Sequence, residues 1–196
     1  MREVAVLFAR TDSVYKTMPG CDVWDIERDA RRWPGSNPVV AHPPCAQWGK
    51  LRQFARVDTT LKACAPLAVS WIQSYGGVLE HPAESDLWRH CGLLPAGRGP
   101  DRHGGWTAEI RQCDWGHKAE KRTWLYIVGC HPDGLPPLPP RGEPTHYIKR
   151  NSIGYRPSAQ RLPHVTKAER EHTPPALAAW LVELARRTRV SQEIAA

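Results

Sequence analysis

The sequence predicts an α/β domain built on a truncated, doubly wound sheet of Rossmann-like type. Three observations lead there. Short apolar runs alternate with segments that are helical in period or highly charged, the pattern of strand–crossover–strand units. The 196 residues amount to one domain's worth of chain, read as a single catalytic-type domain over 1–196. The 19 prolines belong to a loop-rich periphery, because Pro is excluded from helix interiors and central strands.

Taken in order, Glu3–Phe8 is a buried strand, continuously apolar from Val4 onwards. The run CDVWDIERDARRW gives a short strand and then a charged segment that ends at Pro34-Gly35. Pro38–Ala41 is a second brief apolar run, leading directly into His42-Pro43-Pro44-Cys45. From Thr59 to Tyr75, Leu61, Cys64, Ala68, Trp71, Ile72 and Tyr75 recur at helical spacing, with Pro66 marking a start or kink. Gly76-Gly77 stops that helix, and Val78-Leu79-Glu80 returns as a strand. Residues 92–112 hold seven glycines and prolines among several arginines, and read as a mobile basic loop. Thr123–Gly129 is the last clear strand. A Pro-rich segment, 131–163, turns basic around Lys149, Arg150 and Arg156. Thr173-Pro174-Pro175 then opens a helix, with Thr173 as the capping hydroxyl and Leu177, Trp180, Leu181 and Leu184 as the packing stripe.

Composition narrows the function classes. A mean hydropathy of −0.53 and the lack of a long apolar run exclude a spanning helix. The N-terminus meets charge too early for a secretory signal, so the reading is cytoplasmic, with no membrane partner. A net charge of +7 and a pI near 9.3 suit an anionic partner, most simply nucleic acid. Six cysteines occur without a C-x-x-C pair, and His90, Cys91, His103, Cys113 and His117 match no zinc spacing, so no metal is expected.

In an open α/β sheet, chemistry belongs on the loops leaving the C-terminal strand ends. Here one such loop carries Cys45, another begins with Glu80, and the segment before the last strand supplies Lys118, Lys121 and Arg122. A thiol, a carboxyl and a cation suit covalent chemistry on an electrophilic ring: the thiolate adds, the acid donates a proton, and the cation steadies negative charge.

The order of these groups resembles the DNA cytosine-5 methyltransferase family. VVAHPPCAQWG is similar to its Pro-Pro-Cys loop, GGVLEHP to its Glu-Asn-Val motif, and CDWGHKAEKRTWLYIVG to its Gly-x-Pro-Gln-x-Arg-x-Arg motif with the following strand. The likeness covers about residues 38–130 and implies a compact, phage-like enzyme of a bacterial host cell, with a sheet of the class I methyltransferase type. Cys45 would add to C6 of a flipped-out cytosine, Glu80 would hydrogen-bond and protonate N3, and Arg122 would help hold the base or its nucleophile. Pro44, Trp48 and Lys121 would line the base, Trp48 as a stacking surface, while Arg98 and Arg102 would contact DNA phosphates.

The resemblance also implies S-adenosylmethionine, with Phe8 in the family's Phe-x-Gly-x-Gly turn and Asp25 in the place of the ribose-binding acid. Leu7–Ser13 contains no glycine, however, and 20 residues from Asp25 to Cys45 leave no room for the usual intervening strand and helix. Two other readings therefore stand beside methyl transfer. One is cytosine modification without S-adenosylmethionine, by another one-carbon donor or by deamination. The other is an inactive DNA-binding relative.

Overall fold

The computed structural model describes residues 1–49, 52–148 and 162–190. Six strands form one sheet: β1 (Val4–Leu7), β2 (Cys21–Trp24), β3 (Val39–Ala41), β4 (Gly77–Pro82), β5 (Trp106–Arg111) and β6 (Arg122–Val128). Their order is β2-β1-β3-β4-β6-β5. Strands β1 to β4 pair in parallel, whereas β6 lies antiparallel between β4 and β5. The architecture is thus a mixed α/β fold with a mostly parallel sheet, compatible with the Rossmann-like type.

The continuous apolar runs have a direct physical cause, since both faces of this sheet are covered. One face, carrying Ala5, Leu7, Val39, Ala41, Leu79, Trp124 and Tyr126, packs on α1 (Thr59–Tyr75). The other, carrying Val4, Val6, Val40, Val78, Leu125 and Ile127, packs on α4 (Pro175–Arg187). Leu177, Leu181 and Leu184 of α4 are fully buried, each worth about 2 kcal/mol in apolar transfer. Two shorter helices, α2 (Asp86–His90) and α3 (Lys167–Glu171), lie in the connections. Much of the unusual Trp content sits in these layers as edge-on pairs: Trp33 with Trp71, Trp88 with Trp124, and Trp115 with Trp180.

Three local readings are revised or sharpened. Residues 106–111 of the supposed basic loop form strand β5, with Thr107 and Ile110 buried, because Trp106, Ala108 and Ile110 alternate toward the α4 layer. Pro66 lies inside α1, whose N-cap is Asp58. The ring of Pro66 deprives the Lys62 carbonyl of its helical donor, and the Trp48 indole N–H donates to that carbonyl instead, at 3.1 Å. Thr173 does not cap α4; Pro174 takes the N-cap position, without a side-chain bond. Finally, Lys149, Arg150 and Arg156 lie outside the described residues.

Gly77 shows how tightly the central strands approach. A Cβ there would stand 2.0 Å from the Val39 carbonyl oxygen, at a φ of +131°, so only glycine fits. No helix among the described residues is long and apolar enough to cross a membrane.

Candidate active site

The strand order reverses direction between β1 and β3, which opens a crevice outside their C-terminal ends. Side-chain alternation decides what faces it. Continuing the α4-facing rows past the apolar layer places His42 beyond Val40, Glu80 beyond Val78, Thr123 before Leu125, and Gln112 beyond Ile110. These four polar groups meet at one end of the sheet.

Both Glu80 carboxylate oxygens are engaged. Gln112 Nε2 donates to Oε1 at 2.7 Å, and His42 Nδ1 lies 3.1 Å from Oε2. Gln112 is fully buried and donates also to Thr123 Oγ1 at 3.0 Å. On the far side of His42, the buried Tyr15 hydroxyl sits 2.9 Å from Nε2. The result is one hydrogen-bonded row: Tyr15, His42, Glu80, Gln112, Thr123. A carboxylate has about four lone-pair sites, so Glu80 keeps acceptor capacity for an incoming group.

Burial would by itself raise the Glu80 pKa, but the charge of Lys121 and the hydrogen bond and charge of His42 outweigh it, bringing the group down to about 2. His81 contributes little to this at neutral pH, because burial drives its own pKa down to about 4 and leaves it uncharged. The Tyr15 hydroxyl is pushed well above its ordinary value, first by burial and then by Glu80, and stays protonated.

Cys45 stands exposed at the mouth of the crevice. It is held by rigid Pro43-Pro44 on one side and by a tight turn on the other, in which the Trp48 and Gly49 N–H groups both donate to the Cys45 carbonyl. The dense walls around the sulfur push its pKa up, Glu80 adds to this, and Lys121 opposes it. The thiol therefore needs Lys121, or a bound substrate, to favour the thiolate.

The cation of the site is thus Lys121. Arg122, one residue on, points to the opposite face, where it pairs with Glu109 at 2.8 Å and Glu84 at 3.4 Å. Trp48 offers no stacking surface. Its ring is buried beside His90 and under the Lys62 amine, and its indole N–H is committed to the Pro66 gap. Arg98 and Arg102 are exposed. The Asp101–Gly105 turn that carries Arg102 leads into the start of β5, five residues and about 17 Å from the strand ends that form the crevice. The structure does not bring Arg102 to Cys45.

His42, Tyr15, Gln112 and Thr123 escaped the sequence reading. His42 had a legible signal, a titratable residue two positions after Val40 and next to Pro-Pro-Cys. Gln112 had none, because the strand that aims it was read as loop. Among the described residues, no cluster of three or more His, Cys, Asp or Glu is placed to hold a metal ion.

The β1–β2 side is where the resemblance would seat S-adenosylmethionine. Phe8 closes β1 in the left-handed region, at φ +59°, a conformation costing an L-residue about 1–2 kcal/mol. Its ring stacks on Trp71 at 6.1 Å, and Arg10 and Asp12, at the places of the family's two glycines, carry side chains that pair at 2.8 Å. Asp25 does follow β2, beside a cavity of about 310 Å³. Its carboxylate, however, is buried and closed: Lys16 Nζ lies 2.6 Å from Oδ2, and the Glu27 and Arg28 N–H groups donate to Oδ1. The Lys16 bond, and those backbone bonds against the opposing effect of burial, hold the Asp25 pKa below its ordinary value. Three of its about four acceptor sites are taken and the side chain is buried, so these residues do not fit S-adenosylmethionine in the way the resemblance implies. No protein-family model matches the chain, and no curated protein matches it either, so the site's geometry carries the functional argument.

Proposed function

We propose that the protein is a DNA cytosine C5-modifying enzyme of the cytosine-5 methyltransferase kind. The observation that carries this reading is the convergence of Cys45, Glu80 and Lys121 at the C-terminal ends of β3 and β4 and the head of β6. A thiolate, an acid and a cation at one strand-end crevice are what nucleophilic activation of a pyrimidine needs. Cys45 adds to C6 of the ring, Glu80 holds and protonates N3, and the electron density reaches C5, which becomes the nucleophile. Elimination of Cys45 after loss of the C5 hydrogen restores the aromatic ring. A stacked base hides C6, so the base is taken out of the duplex or met in a single strand. The +7 net charge supports an affinity for the phosphate backbone, with Arg98 and Arg102 as peripheral contacts.

The two sides of the crevice favour different answers about the group transferred. The closed Asp25 carboxylate and the Phe8 turn favour a donor other than S-adenosylmethionine. Calorimetric titration with millimolar S-adenosylmethionine is expected to give no binding heat, and binding would restore methyl transfer from that donor.

The test of base activation needs no donor. Addition at C6 makes the C5 hydrogen exchange with solvent, so a DNA oligonucleotide deuterated at cytosine C5 is expected to lose its label with the wild type and keep it with Cys45→Ala. Retention of the label with both proteins, despite DNA binding, would establish the binding-module reading instead. Mass spectrometry of nucleosides from cells expressing either protein then identifies the product, a deaminated base included.

A further inference from the structure

We infer that His42 is a positioning residue that loads the Glu80 carboxylate with the proton it delivers to the base. The chemistry rests on the base-activation reading above; the pairing of the two side chains rests on geometry alone.

Protonation of N3 requires Glu80 as a neutral acid, yet its surroundings keep it ionised. A proton must therefore reach it from a neighbour. Gln112 on Oε1 is an amide and has none to give. Lys121 acts on Glu80 through its charge. Among the described residues His42, with Nδ1 at 3.1 Å from Oε2, is the proton-carrying ring within hydrogen-bond reach of a carboxylate oxygen. The pair is sheltered, each side chain 12% exposed.

Tyr15 makes both states of the imidazole tolerable. When His42 is an imidazolium, Nδ1–H donates to Glu80 and Nε2–H donates to the Tyr15 oxygen. When the ring is neutral beside ionised Glu80, Nδ1–H still donates to the carboxylate, and the Tyr15 O–H turns to donate to Nε2. A hydroxyl serves as either partner, where a carbonyl or an ammonium would fix one state. In the transfer, the N–H bond at Nδ1 breaks and an O–H bond forms on Glu80. The acid's O–H then breaks as N3–H forms, leaving a carboxylate and a neutral ring that keeps its proton on Nε2, donated to the Tyr15 oxygen. Elimination of Cys45 returns the proton along the same path.

The titratable groups around His42 are Tyr15 from the turn after β1, Glu80 from β4, Lys121 from the segment before β6, and Cys45 farther along its own loop. Glu171 of α3 adds a weak negative field at the thiol. His81 lies on the other face of β4, bonded to Ser85 Oγ at 2.7 Å.

The experiment is the pH–rate profile of C5 deuterium exchange for the full-length wild type, His42→Gln and Tyr15→Phe, together with nitrogen NMR of the His42 ring. The wild type should give a bell, rising with thiolate and falling as the relayed proton is lost. His42→Gln should lose the falling limb and drop on the order of 100-fold at neutral pH. Tyr15→Phe should keep the bell at a lower height. In the spectra, the neutral ring should carry its proton on Nδ1 in the wild type and lose that preference in Glu80→Gln. A wild-type profile in His42→Gln, or a neutral ring protonated on Nε2 in the resting, DNA-free enzyme, overturns the inference. If His42→Gln does not fold, the wild-type spectrum decides. Should the wild type exchange no label, base activation falls, and the tautomer alone upholds or rejects the His42–Glu80 pairing.

Discussion

Two sheltered carboxylates belong to parallel strands of the same sheet, Asp25 after β2 and Glu80 in β4, and they are built for opposite ends. Asp25 meets a lysine directly at 2.6 Å and takes two backbone N–H groups besides. Glu80 meets a neutral amide and an imidazole, while the charge of Lys121 acts on it without closing it. Both are held below their ordinary pKa, yet Glu80 keeps more acceptor capacity and has an imidazole rather than an ammonium on its oxygen. A carboxylate sealed by an ion pair and its own turn is a structural brace; one flanked by a proton-carrying ring can exchange a proton. The contrast also separates the sheet into a side equipped for chemistry, β3–β4–β6, and a side whose polar groups close on one another, β1–β2.

The sharpest break between the two sides is expected from Cys45→Ala, which should abolish C5 exchange while leaving thermal unfolding unchanged, since the residue is exposed. Exchange surviving in that variant would remove the thiol from the chemistry. Glu80→Gln follows, with a loss on the order of 100-fold or more in the exchange rate. It also changes acid stability. Because folding lowers the Glu80 pKa from 4.5 to about 2, its stabilising contribution is complete above pH 4.5 and disappears as pH falls toward 2. Acid titration of the variant by circular dichroism should lack that component.

The two adjacent cations come next. Lys121→Ala is expected to slow exchange about 10- to 100-fold, whereas Arg122→Ala, which removes exposed ion pairs to Glu109 and Glu84, should change stability by less than about 1 kcal/mol. Equal effects of the two on exchange would dissolve the distinction between the strand faces. The smallest activity effect belongs to Asp25→Ala. Urea unfolding should show a loss of about 1–3 kcal/mol, because two turn N–H groups and Lys16 lose their acceptor. Its exchange rate should stay at the wild-type level. The depressed Asp25 pKa makes this stabilisation present above the ordinary carboxylate range and lost as pH falls through the folded value.

The sequence by itself determined the strands β1, β2, β3, β4 and β6 and the helices α1 and α4, because burial on both faces or on one stripe writes itself as apolar runs and helical periods. It also singled out Cys45 and Glu80, each standing at the end of such a run. It lost β5, whose half-exposed alternation is diluted by the glycines and prolines before it, and with β5 it lost Gln112. Only the tertiary structure decided which neighbour of a pair enters the site. Lys121 and Arg122 differ by one residue and hence by one face of the sheet. Trp48 looks like a base-stacking ring until Pro66, eighteen residues on, leaves a carbonyl that its indole satisfies. Asp25 occupies its strand-end place in the chain, yet Lys16 claims one of its oxygens and its own turn the other. Hydrogen-bond partners are set by strand order and packing across long stretches of chain, and no local pattern records them.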